Sequence, residues 1–96
     1  MPYTWNPRKN AANIRKHGIS FATAVQIFSG PTLETIDDTA DYGEERIRAI
    51  GLCQGKEIFV VYTDRPRGER RIISARNATE EERQAYWEAF GSPKKR

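Results

Sequence analysis

Cysteine and histidine each occur once in this 96-residue chain, as Cys53 and His17. A lone cysteine cannot close an intramolecular disulfide, and a cysteine-based zinc site would lack its partner thiolates. Long apolar runs are missing too: the run at 58–62 falls far short of the roughly 18 residues that a membrane-spanning helix needs. The opening residues Met1-Pro2-Tyr3-Thr4-Trp5-Asn6 have neither the charged start nor the apolar centre of a secretory leader. Glycine-rich phosphate loops, internal repeats and clustered metal ligands are not found either. These absences exclude a disulfide scaffold and a helical membrane protein. They leave the expectation of one cytoplasmic, cofactor-free domain over residues 1–91, with a flexible basic tail at 92–96.

Charge is present, but its sum says little. The net +3 comes entirely from Lys94, Lys95 and Arg96, because the other 13 basic residues balance 13 acidic ones. Its distribution says more. Residues 1–18 hold Arg8, Lys9, Arg15 and Lys16 with no acid, and 65–76 hold five arginines against Glu69. Residues 34–45 hold six acids and no base. Such separation suits either a basic face that concentrates an anionic ligand or pairing within the molecule.

The pattern of caps and periodicities predicts an α+β domain with two N-terminal helices, a four-stranded antiparallel sheet and a C-terminal helix. Asn6-Pro7 is an N-cap followed by proline in the first helical turn, and Gly18 ends that helix. Ser20 caps a second helix, whose buried stripe is Phe21, Ala24, Val25 and Phe28, and Gly30-Pro31 stops it. Strands are expected at 33–36, 45–52, 57–63 and from 70 onward, with a polar turn at 37–43, a hairpin at Gly55-Lys56 and a turn at 64–68. The run 57–63 is rich in branched and aromatic residues and is expected at the sheet's centre. Thr79 with Glu82 three positions on forms a capping box, opening a third helix with Ala85, Tyr86, Ala89 and Phe90 as its apolar stripe.

The segment Arg70-Arg71-Ile72-Ile73-Ser74-Ala75-Arg76 mounts guanidinium groups on a strand that leads straight into a helix. Guanidinium is always charged, and its planar fork of donors matches phosphate oxygens. Strict alternation puts Arg70, Ile72, Ser74 and Arg76 on one face and Arg71, Ile73 and Ala75 on the other. On that pattern Arg71 and Arg76 reach one phosphate only if the site wraps the sheet's edge. The plainer alternative is an edge strand whose arginines deter aggregation.

Taken in order, Trp5-Asn6-Pro7, Lys16-His17-Gly18 with Phe21 and Ala24, Glu45-Arg46 followed by Gly51, and Arg71-Ile72-Ile73-Ser74-Ala75-Arg76 with Glu82-Arg83 and Tyr86 resemble the BrnT family of type II toxin–antitoxin toxins. The resemblance implies a RelE-like fold and metal-independent ribonuclease activity that arrests translation and growth. It also implies a ribbon-helix-helix antitoxin that neutralises the toxin and links it to operator DNA. Asn6 stands where the family commonly has Asp, and Gly30 where it often has Asp before the proline; both replacements serve equally as cap or stop.

Metal-free RNA cleavage needs a base for the 2′-hydroxyl proton, an acid for the leaving oxygen and cations for the charge gathering on phosphorus. Carried onto this sequence, the family pattern points to Lys16, His17, Glu45, Arg46, Arg71 and Arg76 as catalytic candidates, with Ser74 and Arg70 as substrate contacts. Histidine is the side chain type that most readily exchanges a proton near neutrality, so His17 is a candidate for proton transfer and equally suits a helix C-terminus as a dipole partner. Glu45 is a candidate base or a solvated strand residue. A non-catalytic nucleic-acid or protein-binding module, or a co-repressor subunit, is the competing class.

Overall fold

The computed structural model describes residues 1–38 and 43–91. Residues 39–42 of the expected polar turn and the expected basic tail at 92–96 lie outside the described residues. Helix α1 (Pro7–His17) starts where Asn6 Oδ1 accepts the N–H groups of Arg8 and Lys9, at 2.8 and 3.2 Å. It ends at Gly18, whose left-handed backbone (φ 72°) lets its own N–H donate to Ile14 C=O at 2.8 Å. After Ser20, whose Oγ caps Thr23 N–H, comes only one α-helical turn, α2 (Phe21–Ala24). The chain then tightens into a 3₁₀ turn over Val25–Ser29. That tightening moves the buried stripe to Phe21, Ala24 and Ile27, so Ile27 is fully buried while the expected Val25 and Phe28 are half-buried.

The sheet is five-stranded and mixed, which corrects the expected four antiparallel strands. Its order is β1-β5-β4-β3-β2, built from β1 (Tyr3–Trp5), β2 (Leu33–Asp37), β3 (Arg46–Cys53), β4 (Lys56–Asp64) and β5 (Arg70–Asn77). The four later strands form the expected antiparallel meander with β4 central. The addition is β1, which precedes the helices and pairs parallel with β5 through Tyr3↔Arg70, Thr4↔Arg71 and Trp5↔Ile72. The β3–β4 hairpin turns on Gln54 and Gly55, both at positive φ (53° and 81°), the backbone that a two-residue connection between twisted strands requires.

Each sheet face has its own core. On one side Ala49, Cys53, Ile58, Val60, Tyr62, Ile72 and Ala75 pack beneath Phe21, Ala24 and Ile27. Gly51 lies in this layer because a Cβ there would stand 2.8 Å from Ile27 Cβ. On the other side α3 (Glu80–Phe90) covers only one end, burying Tyr86 with Ile50 and Ala78 against Leu33, Leu52 and Phe59. The Thr79–Glu82 capping box forms as expected. The helix's buried stripe is rotated, however: Tyr86 is buried and Trp87 half-buried, with its indole N–H donating to Glu57 at 2.7 Å, while Ala85, Ala89 and Phe90 are exposed. Among the described residues no helix is long and apolar enough to cross a membrane.

Candidate active site

Asn13 joins the first helix to the arginine-bearing strand. Beyond Ile72, β5 has lost its β1 neighbour, and an open edge there would leave Ala75 with unmet backbone groups. The Asn13 side chain takes the place of a strand. Its Oδ1 accepts Ala75 N–H at 3.1 Å, and its Nδ2 donates to Ala75 C=O at 2.8 Å and to Ile19 C=O at 2.9 Å. This polar side chain is 7% exposed inside a helix of mostly exposed residues. Sequence reading passed over it as an ordinary helical residue.

The arginines do not alternate strictly. Val61 stands opposite Ser74 but Tyr62 opposite Ile72, so Ile73 is an extra residue, a β-bulge. The bulge resets the parity. Arg71 opposite Thr63, Ser74 opposite Val61 and Arg76 opposite Phe59 therefore share one face, correcting the expectation that Arg71 and Arg76 oppose each other. The same face receives Arg48, opposite Val61, and Arg46 two positions earlier on β3. Arg46 and Arg71 flank Thr63 on the two neighbouring strands, with backbones about 10 Å apart, or two interstrand spacings. α3 leaves this end of the face uncovered.

The guanidinium groups on this face differ in how far they are engaged. The Arg71 side chain makes no hydrogen bond or ion pair among the described residues. Arg46 approaches Glu44 at 3.3 Å and stands in register with Asp37. Arg76 is tied down: it forks onto both Glu82 oxygens at 2.9 and 3.0 Å, donates to Asn77 C=O, and lies 3.9 Å above the Phe59 ring. Burial pushes the Glu82 carboxyl up, but hydrogen bonds from Arg76 and from Thr79 N–H outweigh it and hold the group below the ordinary glutamate range. Glu82 thus closes the capping box and anchors Arg76. Arg48, which sequence reading missed, has its Nε buried without a hydrogen-bond partner among the described residues. Its spacing from Arg46 on one strand was the available signal.

The remaining candidates lie elsewhere. Arg70 is on the opposite face, forked onto Asp64 at 2.8 and 3.1 Å and stacked 4.0 Å over Tyr62 and 4.8 Å over Phe28. Burial and the hydrogen bond to Glu34 push the Tyr62 hydroxyl well above the ordinary tyrosine range. Glu45 is exposed just ahead of β3, where its backbone carbonyl accepts Thr63 Oγ1 at 2.7 Å. It borders a cleft of about 430 Å³ shared with Glu34, Glu44, Tyr62, Asp64 and Arg70. Lys16 and His17 are exposed in the last turn of α1, and neither makes a side-chain hydrogen bond or ion pair among the described residues. His17 stands one helical turn beyond Asn13, on the stripe that meets β5 at Ala75.

A family description, "Ribonuclease toxin, BrnT, of type II toxin-antitoxin system", matches residues 5–82, and the chain belongs to that family. Membership implies RNA as substrate and an antitoxin as partner. Among solved structures it is similar to the Brucella abortus ribonuclease toxin BrnT, known from a crystal structure at 1.1 Å. The two share 28% identity and superpose with a TM-score of 0.64, over 83% of this chain and 99% of that one. No curated protein matches.

Proposed function

We propose that the open, arginine-bearing face of the sheet is where this toxin holds and cleaves RNA without a metal ion. The observation that carries the proposal is the bulge at Ile73, which turns Arg71, Ser74 and Arg76 to the side where Arg46 projects. Arg71 has no competing partner among the described residues, so its fork is available to the scissile phosphate. Arg46 supplies a second cation across Thr63. Ser74 offers a hydroxyl between Arg71 and Arg76. Arg76, held by Glu82 and Phe59, contributes a fixed positive charge rather than a mobile clamp.

In the reaction the 2′-oxygen attacks phosphorus as its proton passes to a base, and the 5′-oxygen leaves with a proton from an acid. The product ends are a 2′,3′-cyclic phosphate and a 5′-hydroxyl. We assign proton transfer to His17, exposed with Lys16 at the end of α1, and to Glu45, exposed just ahead of β3; both stand outside the arginine face and act on RNA that extends past its edges. The partner is a ribbon-helix-helix antitoxin, which covers the same basic face and carries the complex to operator DNA.

The test is cleavage of single-stranded RNA in chelator by the folded wild type beside Arg71→Ala and His17→Ala. Loss of turnover in both supports the proposal, and a folded wild type that cuts no RNA overturns it. One observation favours a second reading, a non-catalytic RNA-binding module: His17 makes no hydrogen bond or ion pair to the arginine face. On that reading Arg71→Ala loses affinity and His17→Ala changes nothing.

A further inference from the structure

Beside the arginines lies a smaller cleft, about 280 Å³, between the sheet face and the start of α3. Leu33, Ile50, Phe59 and Ala85 make its walls mostly apolar, and Thr35, Arg48, Glu81 and Glu82 supply the polar groups. Glu82 is already committed to Arg76 and the Thr79 cap, which leaves Glu81, exposed in the first turn of α3, as the open acceptor. Arg48 is the open donor. Its Nε is sealed from solvent without an acceptor among the described residues, so hydrogen bonding of this guanidinium to the protein is incomplete and its remaining N–H groups are left to a guest in the cleft.

We infer that this cleft is a recognition pocket for one unpaired guanine base of the RNA, with Arg48 and Glu81 as the specificity-determining residues. The inference rests on the ribonuclease reading above. A phosphate is the wrong guest, because two carboxylates line the same cleft and would repel it. A base with acceptors on one edge and donors on the next satisfies both sides. Guanine offers O6 and N7 to an arginine fork, and its N1–H and N2–H groups to a carboxylate. Single-stranded RNA is read in this way, by flat apolar contact on the base and hydrogen bonds on its edges. Adenine lacks the donor pair for Glu81 and leaves Arg48 only N7. The arginine face next door keeps the adjoining phosphates in line, so the pocket selects which nucleotide stands next to the cut.

The test uses the full chain and short oligouridines carrying one guanosine, adenosine, cytidine or 7-deazaguanosine, with 2′-O-methyl riboses so that nothing is consumed. Fluorescence anisotropy at fixed salt should show the wild type binding the guanosine oligomer roughly 5–150-fold more tightly than the adenosine one, the worth of a good bidentate base contact. The 7-deazaguanosine oligomer, which lacks the N7 acceptor, should lose most of that preference in the wild type, with no variant required. Arg48→Ala and Glu81→Gln, checked for folding, should each collapse the ratio. Equal binding of guanosine and adenosine, a preference for cytidine, or a guanosine preference that survives both substitutions overturns the inference. Unblocked oligomers separate it from the nuclease proposal. A folded wild type that selects guanosine but cuts nothing keeps the pocket and removes the enzyme, whereas one that cuts without regard to base does the reverse.

Discussion

Arg71 and Arg76 are five positions apart on one strand and still face the same side of the sheet, because Ile73 is inserted between them. Deleting Ile73 would leave an even spacing in a regular strand, so the two guanidiniums should stay on one face. Arg71→Ala should weaken RNA binding by roughly 10–150-fold, the worth of hydrogen bonds to a charged group. Deletion of Ile73 should weaken it by clearly less. Filter binding at two salt concentrations compares them, and a deletion as damaging as Arg71→Ala would show that the bulge does more than set parity.

Arg70 provides the control for face. Its fork onto Asp64 and its stack on Tyr62 and Phe28 are internal contacts on the helix-packed side. Arg70→Ala should therefore cost about 1–3 kcal/mol of stability, from the lost ion pair and cation–π contacts. RNA affinity of the folded protein should barely move. Chemical denaturation and binding on the same preparation separate the two effects.

Asn13→Ala should be among the most damaging helix-surface substitutions in the chain. It strips partners from Ala75 N–H, Ala75 C=O and Ile19 C=O at once. Unmet buried groups of this kind put the loss at about 2–4 kcal/mol. A urea midpoint shifted as little as that of neighbouring Ala12→Gly would refute the role given to this side chain.

Gly51→Ala adds one methyl where no space exists. The new Cβ would meet Ile27 Cβ at 2.8 Å, Thr32 Cγ2 at 3.0 Å and Ile27 C=O at 3.3 Å. Overpacking of this kind costs about 1–3 kcal/mol, which thermal melting should register as a clear drop in Tm. RNA cleavage per folded molecule should persist, since β3 turns Arg46 to the other face.

Acid sensitivity should be traceable to Glu82. Its carboxyl is held low in the fold, so the folded state prefers the ionised form. That contribution is fully present above the unfolded glutamate value of about 4.3 and is lost as pH falls from there through the lower native value. Glu82→Gln should be less stable at neutral pH and should show a flatter stability profile between neutrality and acid. Denaturation midpoints measured against pH check both.

The parts of this fold that rest on neighbouring residues were legible in the sequence. Asn6, Gly18 and Ser20 mark helix ends through contacts only a few positions long, and the Thr79–Glu82 box needs nothing beyond its own turn. Features that depend on distant partners were not. Tyr3–Trp5 is too short to announce a strand and becomes one only because β5 lies alongside it. Ile73 is indistinguishable from Ile72 as a residue type, and only the register with β4 makes it a bulge. For the same reason the arginine types were readable and their common face was not. α3 carries its apolar residues almost all round, so their spacing did not fix which would meet Ile50.

The parallel pairing of Tyr3–Trp5 with Arg70–Ile72 has a temporal meaning. During synthesis the first strand emerges long before its mate exists, and contacts spanning so much chain are slow to close. The cationic surface draws on β3 and on β5, so it too is complete only after translation has passed Arg76. A nascent chain therefore lacks the assembled arginine face until almost the whole domain has been polymerised.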